Sequence, residues 1–211
     1  MAGTILYVHG MGGGADSRIP ALLNALLDPS EARVVVRTYD FDPPVGHAQL
    51  LAWVEELRPA LVIGESLGAI QALRIKGIPH LFVSPSLGAP QKLYRYAPVA
   101  LFALGRWILH RRYPAREGER QEMKFRYPVL RRYGAHWQAA LDAIGPEEYY
   151  YAFFGTQDHF LRSGVVSVGL WEKYFGHSYT LYDGTHYMEE EYVQSLLLPK
   201  IREVLSSGKN V

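Results

Sequence analysis

The 211-residue chain contains no cysteine. Disulfides and thiolate metal centres are therefore excluded, and a nucleophilic site would have to use serine rather than a thiol. No apolar run approaches the roughly 20 residues of a membrane span, and residues 1–10 carry neither a basic start nor a long apolar stretch. Neither a signal peptide nor a transmembrane segment is expected, which makes the cytoplasm the default location. Charge of one sign is also missing: 22 Lys and Arg stand against 21 Asp and Glu, a net charge of +1, so nothing beyond local charge argues for nucleic-acid binding. His47, His80, His110, His136 and His177 have no metal-ligand spacing, and no HExxH or paired acidic motif occurs. No metal and no cofactor are expected. Repeats and low-complexity tracts are absent, and composition carries no signal of oligomeric state.

What is present suits one globular α/β domain. Hydrophobic residues make up 48 % of the chain, and a chain of this length buries about 70 % of its unfolded surface. Short runs such as Val34-Val35-Val36 and Leu61-Val62-Ile63 are apolar on both faces, as parallel strands covered by helices should be. Strands are expected at 4–8, 33–39, 60–63, 79–83, 148–154 and 178–182. Helices are expected at 17–27, 48–57 and 69–76, with Asp42-Pro43-Pro44 as loop and Gly77 closing the third helix. The closing segment 187–205 reads as helical, with Pro199 kinking or restarting it. This alternation predicts a sheet of about six strands, mostly parallel, with helices on both faces and right-handed crossovers.

The third of those strands runs into Gly64-Glu65-Ser66-Leu67-Gly68 and then into helix. A serine at such a turn is held in a strained backbone, and only residues with little or no side chain fit two places before and two after it. The pentapeptide alone arises readily by chance; the strand-turn-helix setting gives it meaning. The first strand ends in His9-Gly10-Met11-Gly12-Gly13-Gly14. Acyl transfer through a serine needs two backbone N–H groups aimed at the oxygen that becomes negative, and the residues placed to supply them are Leu67, just after the serine, and Met11, in the glycine-rich turn. His9 reads as a buttress of that turn. A competing reading exists, because Gly10-Met11-Gly12-Gly13-Gly14-Ala15 also satisfies the dinucleotide fingerprint, with Asp40 after the next strand where a ribose ligand would stand.

The later strands decide between the two. One ends in Gly155-Thr156-Gln157-Asp158-His159 and the next in Asp183-Gly184-Thr185-His186. A dinucleotide site has no need of a serine elbow, a later acid and a late histidine. Taken singly, an Asp at a strand end is usually a turn or cap residue and a lone His a surface or core residue. Together, Ser66, Asp158 and His186 give the order nucleophile, acid, base, each at the carboxyl end of its own strand. Asp183 is the rival acid, and Asp158 is preferred because it follows the preceding strand. Ser84 and Ser86, beside Pro85 and without flanking glycines, read as turn residues lining the pocket.

On these motifs the chain resembles the α/β-hydrolase superfamily, and within it the small bacterial serine esterases that begin directly at the His-Gly strand. The resemblance covers residues 4–90 and 148–205. Only three residues precede the first strand, so it implies a member without the two antiparallel strands that open a full-length one. It implies a serine hydrolase acting on a small-molecule carboxylic ester or thioester. The alternatives are another bond class on the same triad, such as a C–C bond, lactone or amide, and a non-catalytic hydrolase-fold binding protein.

Residues 90–145 are the unmatched part. They fall where hydrolases commonly insert a helical cap, have room for two to four helices, and hold eleven cations, Lys92, Arg95, Arg106, Arg111, Arg112, Arg116, Arg120, Lys124, Arg126, Arg131 and Arg132, against four acids. The plainer reading is a solvated helical face; the alternative is attraction for an anionic substrate or a membrane surface. If this segment covers Ser66, apolar residues 97–104 and 107–109 are expected to line or shield the acyl pocket, with the arginines at its entrance.

Overall fold

Six short strands, β1 (Gly3–Val8), β2 (Ala32–Val36), β3 (Leu61–Glu65), β4 (His80–Val83), β5 (Tyr150–Gly155) and β6 (Tyr179–Tyr182), form a single sheet in the order β2-β1-β3-β4-β5-β6. Every neighbouring pair is parallel. The computed structural model describes residues 3–114, 117–146 and 148–207; Arg116 and the first two residues of the stretch 1–10, both used above, lie outside them.

The period-two alternation of the strands sorts their side chains into two cores. Ile5, Tyr7, Leu61, Ile63, Leu81, Val83 and Phe153 point to one face, against helix α1 (Arg18–Leu26) and the carboxyl-terminal helices. Leu6, Val8, Val62, Phe82, Ala152 and Phe154 point to the other. Over that second face lie α2 (Pro43–Leu57), α3 (Gly68–Ala72), the lower half of α6 (Tyr127–Asp142) and α7 (Val168–Phe175), whose Trp171 is wholly buried between Phe82 and Phe154.

Between them in the chain, helices α4 (Ala89–Tyr96) and α5 (Ala103–Arg112), a 3₁₀ turn (Val99–Leu101) and, among the described residues, the irregular stretches 113–114 and 117–126 lie between β4 and α6. They build a third cluster around Leu93, Ala97, Ala100, Leu109, Met123, Phe125 and Leu130, which also takes in Phe41 and Leu67. This layer sits over the carboxyl ends of β1 and β3. The chain passes from β1 outward to β2 and then crosses back past β1 to β3, and the crevice at that reversal, between β1 and β3, is where open α/β sheets place their sites.

Several element bounds differ from the sequence reading: β2 ends at Val36 rather than 39, and three helical segments are shifted. Helix α2 starts at Pro43 rather than 48, because Asp42 takes the N-cap and the two prolines, with φ already fixed and no N–H to satisfy, fit the first turn. Helix α3 ends at Ala72 instead of 76; Arg74 and Ile75 continue with i→i+3 hydrogen bonds to Gln71 and Ala72, a tighter turn. At the carboxyl end, α8 (Glu190–Tyr192) leads through a π turn (Val193–Leu197) into α9 (Leu198–Ser207), so the helix restarts with Pro199 in its first turn.

Candidate active site

Ser66 sits where β3 turns into α3, with φ of 50°. That left-handed conformation costs a non-glycine residue about 1–3 kcal/mol, and it persists only because the flanks over-determine it. Ser66 N–H donates to Val83 O at 3.0 Å, and Ser66 O accepts from Ala69 N and Ser86 N. The flanking glycines are required by close approach. A Cβ on Gly68 would lie 2.3 Å from Val8 O, and one on Gly64 about 3.0 Å from Ala69, Ala72 and Phe82 together.

Strands β5 and β6 deliver the two partners. Their turns are laced together by Thr156 N–H to Tyr182 O and Gln157 N–H to Gly184 O, both 2.9 Å. Gly155 allows this, since a Cβ there would meet Gly184 O at 2.3 Å. His186 then lies between the other two: Nδ1–H donates to Asp158 Oδ2 at 2.6 Å, and Nε2 is 2.9 Å from Ser66 Oγ. The carboxylate partner fixes the proton on Nδ1 and leaves Nε2 to accept from the serine hydroxyl. Asp158 and His186 are both buried, and the second carboxylate oxygen of Asp158 accepts from Phe160 N–H at 2.7 Å. Phe160 closes edge-on over the imidazole, 4.7 Å between ring centroids. Asp183 is exposed and accepts from Gln157 and Thr156 instead, away from His186.

The glycine-rich turn lies directly against the elbow, with Gly10 so close that a Cβ would sit 2.9 Å from Ser66 Cβ. Met11 and Leu67 both border the space at Ser66, and among the described residues neither backbone N–H donates to an acceptor. His9 is fully buried behind the turn, stacked on Tyr39 at 4.3 Å, its Nδ1–H donating to Gly10 O. Burial lowers its pKa to about 4, with the Arg120 charge adding to the effect, so it stays neutral. Gly12 to Gly14 serve the connecting layer. Residues 119–121 dock on them through Ala15 N–H to Glu119 O, Gln121 N–H to Gly13 O and an antiparallel bridge at Gly14 and Arg120. Asp40 faces the Lys124 ammonium. The features that imitate a dinucleotide fingerprint are therefore occupied by the chain itself.

Two clefts meet at Ser66, sharing Met11, Ser66, Tyr113 and Phe160. One, of about 290 Å³, is walled by Leu67, Ala89, Leu93 and Val165, with Lys92 and Arg112 at its rim. The other, of about 350 Å³, is the more polar of the two, with Ser17, Arg18, Glu65 and Arg120 beside Ile19 and Tyr187. A larger concavity of about 630 Å³ lies under α5, lined by Arg106, Lys124 and Arg126, and contains none of Ser66, Asp158 and His186. Among the described residues no three His, Asp or Glu side chains converge to hold a metal.

One sequence expectation is corrected here. Of the apolar residues 97–104 and 107–109, only Ala97, Ala100 and Leu109 turn inward, into the third cluster; Leu101, Phe102, Leu104, Trp107 and Ile108 face solvent, and none of them lines either cleft at Ser66. The two helical pieces are so short and so tightly folded together that only one narrow stripe can face inward. Ser86, read as a pocket-lining turn residue, is buried with its Oγ 3.1 Å from Ser66 Oγ. Ser84, likewise buried, has no hydrogen-bond partner for its hydroxyl among the described residues. Glu65, to which the sequence reading assigns no role, borders the more polar cleft and accepts from the buried Tyr7 hydroxyl at 2.9 Å.

Among solved structures, the chain is similar to Est1E of Butyrivibrio proteoclasticus with ferulic acid bound, at TM-score 0.67 and 15 % identity over 97 % of this chain and 90 % of that one. A structure from work on carboxylesterases of the ammonia-oxidizing thaumarchaeon Nitrososphaera gargenis matches at TM-score 0.58 and 16 % identity, covering 100 % and 92 %. The type II thioesterase BorB of the borrelidin biosynthetic cluster matches at TM-score 0.56 and 18 % identity, covering 98 % and 92 %. At such identities these likenesses speak for the fold. No curated protein matches the chain. A family model described as "Alpha/beta hydrolase family" matches residues 5–203, and the chain belongs to that family.

Proposed function

We propose that the protein is a serine hydrolase that cleaves a carboxylic ester or thioester through an acyl-enzyme. The observation that carries this reading is the unbroken hydrogen-bonded line from Asp158 through His186 to Ser66 Oγ, at 2.6 and 2.9 Å. As Ser66 Oγ attacks the carbonyl carbon, its proton passes to His186 Nε2 and the imidazolium is stabilised by the Asp158 carboxylate. The carbonyl oxygen becomes negative and takes hydrogen bonds from the N–H groups of Met11 and Leu67. Collapse of the tetrahedral species breaks the bond to the leaving alcohol or thiol, which receives the proton from His186 Nε2. Water then repeats the sequence and frees the acid. The apolar cleft beside Leu67 and Leu93 suits the acyl chain, and the more polar cleft beside Glu65 and Arg18 suits the leaving group.

The structural likenesses to carboxylesterases and a thioesterase are consistent with the ester and thioester classes. A fluorophosphonate probe tests the reading: the expected adduct is on Ser66, and Ser66→Ala, whose methyl fits the elbow, is expected to lose both labelling and turnover of aryl esters and acyl-thioesters. Labelling at Ser84 or Ser86, or full activity in the alanine variant, would overturn it. Failure of the native chain to label would favour a non-catalytic binding protein on the same fold.

A further inference from the structure

The segment joining α4 to α5 is built inside out. Phe102 is 70 % exposed, Leu104 68 % and Trp107 56 %, and Val99, Leu101 and Ile108 are exposed beside them. A helix at the surface of a water-soluble domain turns such side chains inward; α5 turns inward only Gly105 and Leu109. The arrangement is held rigidly. A Cβ on Gly105 would lie 1.9 Å from Val99 O, so the 3₁₀ turn and α5 touch backbone to backbone, and Arg106 ties back to Ala100 O and Leu101 O at 3.2 Å. The apolar side chains are thereby held outward at the tip of the connecting layer.

Charge identifies the partner. Residues 89–114 contain Lys92, Arg95, Arg106, Arg111 and Arg112 and no Asp or Glu. None of these five pairs with a carboxylate among the described residues. The Arg111 guanidinium lies 5.3 Å over the Trp107 ring, so cation and amphipathic aromatic are presented together. Large exposed apolar side chains mark an interaction site, and when ringed by arginine with an indole at the boundary they match the interface of an anionic bilayer. A second copy of the same face is disfavoured, since pairing would bring two acid-free sets of five cations together.

We propose that residues 99–112 dock the protein on an anionic lipid surface, with Phe102, Leu104 and Trp107 immersed at the headgroup boundary and the arginines on the lipid phosphates. Lys92 and Arg112 belong both to this basic set and to the rim of the apolar cleft at Ser66, so docking turns that cleft toward the lipid. The delivery of an acyl substrate from the bilayer rests on the hydrolase reading above; the docking does not.

The test therefore measures binding with the Ser66→Ala protein, which leaves the lipids intact. The full chain is sedimented with vesicles of phosphatidylcholine alone and of phosphatidylcholine with an equal part of phosphatidylserine, and its tryptophan emission is followed. Association with the mixed vesicles, weakened by salt and accompanied by a blue shift that Trp107→Phe diminishes, is expected. Arg95→Gln with Arg111→Gln should weaken it by about thirtyfold, roughly fivefold per cation. Phe102→Ser with Trp107→Ser, exposed positions whose change leaves the core intact, should reduce it by about tenfold or more. Absence of association with the mixed vesicles, or equal association with phosphatidylcholine alone, would overturn the proposal. So would a concentration-dependent dimer without lipid association that the paired serine changes abolish, which would assign the face to a second copy.

Discussion

Proton transfer in the proposed reaction depends on which nitrogen of His186 is bare, and Asp158 decides that. An amide in place of the carboxylate can present its NH₂ to Nδ1 and move the ring proton to Nε2, which then faces Ser66 with a donor instead of an acceptor. Asp158→Asn is therefore expected to lower kcat by something on the order of 10⁴ with little change in stability of the fold. Asp183→Asn, at an exposed carboxylate that touches only Gln157 and Thr156, should change kcat little. Steady-state kinetics on one aryl ester checks both, and a reversed ranking would reassign the acid. Ser86 has a subtler part. With the Ser66 proton committed to His186, the single Ser86 hydroxyl proton faces two acceptors, Ser66 Oγ at 3.1 Å and Ser84 O at 3.4 Å, and the nearer contact helps to fix the Ser66 rotamer. Ser86→Ala should cost about two- to tenfold in kcat, the worth of one neutral hydrogen bond, while labelling of Ser66 persists.

At the scale of elements, the site is held by contacts between turns distant in sequence. The docking of residues 119–121 on the glycine run is the clearest case. Gly14 has ordinary backbone angles, so alanine is conformationally acceptable there, yet its Cβ would fall 1.8 Å from Glu119 O and 2.7 Å from Arg120 Cα. Gly14→Ala is expected to push residues 119–121 off the turn. Hydrogen exchange at the Ala15 and Gln121 amides, which donate across this contact, should accelerate by about tenfold or more, with kcat/KM falling because Met11 loses its support. Unchanged exchange would mean that the contact does not organise the turn. This contact was not legible in the sequence. The glycines were visible, and their reading as a turn beside the serine agrees with their position, but a single antiparallel bridge to an irregular segment leaves no periodicity. Strands buried on both faces, the serine turn and the order of Ser66, Asp158 and His186 were legible because each follows from local sterics or from chain order. Helix α7 escaped notice for a different reason: at eight residues it is barely two turns, and its N-cap, Ser167 accepting from Leu170 N–H, is its main sequence signal. The direction of α5 was misread, since an apolar helical stripe ordinarily faces a core.

The whole molecule keeps several imidazoles out of water, and this links its stability to pH. His9, His80 and His136 are buried, and burial lowers their pKa values to about 4, 4 and 3. Arg74 adds to the effect at His136, donating to Nδ1 at 2.8 Å while Nε2–H donates to Gln71. His80 donates from Nε2 to Ala72 O, and the Glu148 carboxylate, 4.0 Å from Nδ1, offsets only part of its desolvation. An unfolded chain binds a proton at each of these near pH 6.5, whereas the folded one declines it until roughly pH 4. The stabilisation is thus complete above pH 6.5 and is lost as pH falls toward the folded values, each group adding up to about 1.4 kcal/mol per pH unit to the slope between them. Denaturant unfolding followed by circular dichroism should give a midpoint that holds steady from pH 8 to 7 and declines steeply from pH 6 to 4.5. His80→Gln keeps a donor near Ala72 O without a titrating ring; it should begin less stable at pH 8 and show a shallower decline. A midpoint that stays flat to pH 5 would mean that water reaches these imidazoles and that the three polar positions are not sealed as the packing of α2, α3 and α6 against the sheet implies.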